Sequence, residues 1–131
     1  MNQNSQAALL IVDDEEQFAD FVSNVAEDIG LRPVVSTKAE DFKQRYAEER
    51  VCGIVMDVVM PDTDGIELVQ WLGDKHCPAP IVVVSGYDPS YTRMLRTIGE
   101  SKGLLFHKVL TKPVDLDELD ATLGELKAAI E

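Results

Sequence analysis

Five short apolar runs, each closed by polar residues, constrain this chain more than any other feature. Ala8-Leu9-Leu10-Ile11-Val12 ends at Asp13-Asp14. Arg32-Pro33-Val34-Val35 is shorter, and its proline suits an edge strand. Gly53-Ile54-Val55-Met56 ends at Asp57, and Pro80-Ile81-Val82-Val83-Val84 ends at Ser85-Gly86. The last, Leu104-Leu105-Phe106 through Val109-Leu110, ends at Thr111-Lys112-Pro113. Continuous Val/Ile/Leu runs of this length predict strands buried on both faces, the habit of a parallel sheet.

Between the runs, apolar residues recur at helical spacing. Phe18, Phe21, Val22, Val25 and Ile29 form one stripe, with Gly30 as its terminator. Ala39, Phe42 and Tyr46 form a weaker one. Ile66, Leu68, Val69 and Leu72 follow Gly65; Tyr91, Met94, Leu95 and Ile98 precede Gly99. Leu116, Leu119, Leu123, Leu126 and Ile130 make the cleanest stripe. A strand then a helix, five times over, predicts a doubly wound α/β domain. Right-handed crossovers put helices on both faces. For five strands the expectation is the flavodoxin-like (βα)5 fold with order 2-1-3-4-5.

At 131 residues the chain has the length of one domain, expected over 1–131 with its core at about 8–130. Twelve basic against 24 acidic residues leave a net charge of -12. Such a surface repels phosphate backbones and anionic lipid, which argues against direct nucleic-acid or membrane binding. The two cysteines, Cys52 and Cys77, form no CxxC pair, and a reducing compartment fits them. No apolar stretch approaches the roughly 18 residues of a membrane span, and the start lacks the basic region of a secretory signal. The expected location is the cytoplasm.

In open α/β sheets, function sits beyond the carboxyl ends of the strands. There the first strand places Asp13 and Asp14, the third Asp57, the fourth Ser85 and the fifth Lys112. In the order 2-1-3-4-5 these four strands are neighbours, so three carboxylates, a hydroxyl and an ammonium converge. Clustered carboxylates repel unless a cation lies among them, and Mg²⁺ suits a few carboxylates plus waters and phosphate. Lysine is a compact charge for a phosphoryl oxygen. A carboxylate nucleophile, Mg²⁺ and a lysine are what phosphoryl transfer onto aspartate requires, and the central strand makes Asp57 the nucleophile.

Four blocks together resemble the receiver domain of bacterial two-component response regulators: Ile11-Val12-Asp13-Asp14, Met56 through Gly65, Val84-Ser85-Gly86-Tyr87, and Thr111-Lys112-Pro113. They cover essentially the whole chain, at intervals of 43, 28 and 27 residues from Asp14 to Asp57, Ser85 and Lys112. The resemblance implies that Asp57 accepts a phosphoryl group from a histidine kinase or phosphotransfer protein. It implies that Asp14, Asp57 and the Val59 backbone carbonyl hold Mg²⁺, with Asp13 acting through water. Lys112 would pair with Asp57 and then with the phosphoryl group, toward which Ser85 would turn. The Lys112–Pro113 bond is expected to be cis, and Gly65 to permit the turn after the active-site loop. The signal would leave through the fourth helix, fifth strand and fifth helix, to a downstream protein or an output domain beyond this sequence. A homodimer is compatible with that arrangement.

The sequence departs from the family at Val109, where an aromatic switch residue often stands. Phe106 and His107 are the nearby candidates to substitute for it. The segment from Gly103 to Pro113 is similar to that of receivers coupled to EAL-type cyclic-di-GMP phosphodiesterase domains. Val59 and Tyr87 would border the phosphoryl group, the first unable to hydrogen-bond a water and the second able to screen it, so slow self-dephosphorylation is expected. Asp62 and Asp64 are read as turn and helix-start residues, His76-Cys77 as a loop, and Trp71 as partly packed. Three rival readings remain: a pseudo-receiver that is never phosphorylated, a Mg²⁺ phosphohydrolase, and a flavin or nucleotide domain. The phosphohydrolase commonly needs an aspartate where Val59 stands. A nucleotide domain needs a glycine-rich loop where Asp13-Asp14-Glu15-Glu16 stands.

Overall fold

The computed structural model describes residues 7–60, 63–86 and 88–130. Its elements run β1 (Ala8–Val12), α1 (Glu16–Asp28), β2 (Arg32–Ser36), α2 (Ala39–Glu48), β3 (Val51–Asp57), β4 (Val59–Met60), β5 (Thr63–Asp64), α3 (Gly65–Asp74), β6 (Pro80–Ser85), α4 (Pro89–Ser101), β7 (Leu105–Thr111) and α5 (Leu116–Ile130). Five strands form one parallel sheet ordered β2-β1-β3-β6-β7. Setting aside the two-residue strands β4 and β5, this is the expected order 2-1-3-4-5. The Pro33-bearing strand lies at an edge, as expected.

Side chains of a strand alternate between faces, and the core divides accordingly. Leu10 and Val12 of β1, Ile54 and Met56 of β3, and Ile81 and Val83 of β6 pack toward Phe42, Leu68, Leu72 and Leu95 of α2, α3 and α4. Leu9 and Ile11, Val55, and Val82 and Val84 pack on the other face toward Val22, Leu119, Leu123 and Leu126 of α1 and α5. Each such Leu, Ile or Val contributes roughly 1.5–3 kcal/mol by leaving water, and truncating one to Ala costs about 2–5 kcal/mol. Trp71 packs edge-on against Phe42 and Tyr46, at centroid distances of 6.4 and 5.4 Å. Among the described residues no helix is long and apolar enough to cross a membrane.

Two features depart from the sequence reading. First, β7 is not buried on both faces: Leu105 is 58% exposed. It is an edge strand with only β6 beside it, so burial depends on the helices alone. A register shift between Ile81 and Val82 leaves His107 unmatched, with Phe106 opposite Ile81 and Lys108 opposite Val82. This extra residue puts Phe106 and Val109, three apart, on the same face of the sheet. Second, a short antiparallel ladder, Val59 with Asp64 and Met60 with Thr63, closes the turn after β3. It is too brief to leave a periodic signature.

Capping follows the sequence. Asp64 accepts from Glu67 N at 2.8 Å to open α3, and Asp88 accepts from Ser90 N and Tyr91 N to open α4, with Pro89 in its first turn. Gly30 takes φ +93° where α1 ends. Asp62 lies outside the described residues.

Candidate functional site

Just past their carboxyl ends, β1 is tied to β2, β3 to β6 and β7 to β6 by backbone hydrogen bonds. Asp13 N donates to Ser36 O at 3.1 Å, Val58 N to Val84 O at 3.1 Å, and Lys112 N to Ser85 O at 2.8 Å. These bonds fix where Asp13, Asp57, Ser85 and Lys112 leave the sheet. Asp13 is 2% exposed and Asp57 6%, while Asp14 faces solvent. One carboxylate oxygen from each of Asp13, Asp14 and Asp57 lies within 4.8 Å of the others. The three carboxylates expected to converge therefore do.

Lys112 reaches into this cluster. Its Nζ lies 3.1 Å from Asp13 Oδ2 and 3.5 Å from Asp57 Oδ2, contacts Glu15 Oε1, and sits 4.6 Å from the centre of the Phe18 ring. The Lys112–Pro113 peptide bond is cis. Burial alone would lower the Lys112 pKa, but Glu15, Asp13 and Asp57 outweigh it and hold the ammonium above its ordinary 10.5. Burial pushes the Asp13 carboxyl up from its ordinary 3.8, against the opposing pull of the Glu15 amide and of Lys112. Asp13 Oδ1 accepts that amide at 2.8 Å. Asp13 Oδ2 is buried and receives no well-aligned hydrogen bond.

Hard oxygen donors crowded together, one of them buried without an aligned donor, fit a hard divalent cation. Asp13, Asp14 and Asp57 are the described side chains that could hold it. Of Val59 only the backbone pairing with Asp64 is described, and Tyr87 lies outside the described residues.

Ser85, 6% exposed, meets Thr92 of α4: the Thr92 hydroxyl donates to Ser85 Oγ at 3.0 Å. Val109, opposite Val83, is half-buried and lines a cavity of about 330 Å³ with Ser85, Thr92, Arg93 and Arg96. Phe106 is not beside Ser85. Its strand partner Ile81 is four residues before Ser85, about 13 Å along the sheet. Its ring packs where a Cβ on Gly99 would come within 2.5 Å. His107 also turns away, meeting Glu125 of α5 at 2.9 Å.

Three site neighbours carry little sequence signal: Glu15 belongs to an acidic run and Phe18 to a helical apolar stripe, while nothing local marks Thr92.

The profile of the response regulator receiver domain family matches residues 9–124. The photosynthetic apparatus regulatory protein RegA of Rhodovulum sulfidophilum is 28% identical over 117 residues, 88% of this chain and 61% of that protein. A Francisella response regulator receiver domain superposes with a TM-score of 0.78 at 25% identity, covering 96% of this chain and all of that one. The signal receiver domain of an HD domain-containing protein from Pseudomonas fluorescens gives a TM-score of 0.82 at 18% identity, over 95% and 97% of the two chains. The chain spans 36–61% of the length of three curated relatives that it matches.

Proposed function

This chain belongs to the response regulator receiver domain family, and from that premise we propose that it accepts a phosphoryl group on Asp57 in a Mg²⁺-dependent reaction. The observation that carries the reading is the surroundings of Asp57: buried at the end of a central strand, 3.5 Å from an ammonium and among two further carboxylates. The donor is a histidine kinase or a phosphotransfer protein. A carboxylate oxygen of Asp57 attacks phosphorus, a P–O bond forms, and the P–N bond of the donor breaks with its electron pair returning to the imidazole.

Asp14 and Asp57 would hold the cation by side chain and Asp13 through water, with the Val59 carbonyl as a further ligand. When bound, Mg²⁺ supplies charge neutralisation between the carboxylates and the incoming phosphoryl oxygens. Lys112 supplies a second positive charge, already poised at Asp57. Phosphorylation adds about -1.5 to -2 charges and three acceptor oxygens. Lys112 and Ser85 are the side chains placed to answer them, and their new contacts favour a second state of the α4–β7–α5 surface. That surface signals to a downstream protein or to an output domain outside this sequence, in the cytoplasm. The chain acts as a signalling domain over 1–131 that assists only its own phosphorylation and dephosphorylation.

The test is intact-protein mass after incubation with Mg²⁺ and a small acyl phosphate, with Asp57→Ala alongside. One added phosphoryl group, lost without Mg²⁺ and absent from the variant, supports the reading. No addition either from the acyl phosphate or from candidate kinases, with Mg²⁺ bound, would make the chain a pseudo-receiver.

A further inference from the structure

Val109 leaves open how a change at Asp57 reaches the α4 surface, because the side chain at that place is small and borders a cavity. The hydrogen bonds around Ser85 offer another route. Thr92 is 5% exposed and stands in the first turn of α4. Its hydroxyl donates to Ser85 Oγ at 3.0 Å and has a second acceptor, Asp88 O, at 3.2 Å. The neighbouring Tyr91 ties the same turn to α3, its hydroxyl oxygen accepting from Ile66 N at 3.4 Å. The start of α4 is therefore held to β6 through Thr92 and to α3 through Tyr91.

We propose that Thr92 is the positioning residue of Ser85: in the resting protein it holds the serine hydroxyl against α4, and phosphorylation of Asp57 takes effect by exchanging this partner for a phosphoryl oxygen. The inference rests on the receiver reading above. Three observations make the exchange workable. The bond joins two buried residues, Ser85 and Thr92, which favours a hydroxyl partner over bulk water. The single proton of Thr92 has Asp88 O ready when Ser85 leaves, so no buried donor is orphaned. The 330 Å³ cavity bounded by Ser85, Thr92 and Val109 gives the released turn of α4 room to shift, space that a large side chain at 109 would occupy. The signal then runs from Ser85 to α4 directly, with no side chain of β7 as intermediary.

The test uses Thr92→Val, which keeps the shape and removes the hydroxyl, and Thr92→Ser, which keeps the hydroxyl. Each protein is titrated with beryllofluoride and Mg²⁺, a mimic of the phosphoryl group, and amide hydrogen exchange is followed over residues 90–94. In the wild type, mimic binding should speed exchange in that turn. Thr92→Val should show fast exchange before the mimic is added. It should also bind the mimic about three- to tenfold more tightly, because no resting bond to Ser85 has to be given up. Thr92→Ser should follow the wild type in both. A purely structural role for Thr92 would lower stability while leaving mimic affinity unchanged. Unchanged affinity in Thr92→Val, with the wild type binding normally, therefore overturns the latch alone. A wild type that takes neither the mimic nor phosphate overturns the receiver chemistry, and the latch falls with it.

Discussion

Gly65 rests directly on Val58. Its N–H donates to Val58 O at 3.0 Å, and a Cβ in its place would stand 2.7 Å from that oxygen and 2.7 Å from Leu95 Cδ1. Val58 follows Asp57, and Gly65 opens α3, so this contact joins the residue after the phosphoacceptor candidate to the start of α3. Gly65→Ala must push backbone apart beside the site. It should lose about 1–3 kcal/mol of stability, read as a lower urea midpoint, and should slow phosphorylation by the small donor as well. Full stability in the variant would show that the loop yields freely.

Lys112 competes with a cation for the same oxygens. Removing an ammonium 3.1 Å from Asp13 and 3.5 Å from Asp57 takes one positive charge away from both carboxylates. Lys112→Met should therefore bind Mg²⁺ several-fold more tightly, measured by calorimetry, yet accept phosphate at least about tenfold more slowly, since the charge that meets the phosphoryl oxygens is gone. Weaker Mg²⁺ binding would show that the lysine organises the carboxylates more than it repels the ion.

Asp13 is the strained member of the cluster. Burial raises its pKa above the ordinary 3.8, so the folded chain holds its carboxyl proton more tightly than the unfolded chain does. The stability this tighter hold contributes is present in full below about pH 4 and is lost as pH rises through the folded value. Asp13→Asn, which keeps an oxygen for the Glu15 amide, should match the wild type near pH 3. At pH 7 without divalent ions its melting temperature should be roughly 2–5 °C higher. Saturating Mg²⁺ should narrow that difference. An Asn variant that melts lower at pH 7 would mean the Lys112 pairing outweighs burial.

Cys52 should be a slow nucleophile. Its thiol donates to Ala8 O at 3.3 Å, and burial pushes its pKa above the ordinary 9. The thiolate is the reactive form. Alkylation of Cys52 by iodoacetamide at pH 8 should run about tenfold or more slower in the native protein than in urea, as peptide mass mapping would report. Equal rates would place Cys52 in a far more open setting than beside β1.

Much of this architecture is legible in the amino-acid sequence. Runs such as Ile81 to Val84 are buried on both faces, so their composition alone marks a central parallel strand. The polar residue that ends each run marks the crevice. β7 was harder to read: as an edge strand it mixes burial and exposure, and the unmatched His107 breaks its period, so Phe106 looked nearer the site than it is. The β4–β5 ladder is two residues per strand, below the length at which alternation carries information.

The order of elements and the chemistry at the strand ends are written in local apolar periodicity and in which residue follows each run. The partners come from packing in three dimensions. Lys112 meets Asp13, Glu15 and Asp57 across up to 99 positions of chain, and Thr92 reaches Ser85 only because α4 folds back over the end of β6. Such contacts depend on how helices seat on a twisted sheet and on the space their side chains leave. That is a property of packing, and no local pattern in the chain encodes it.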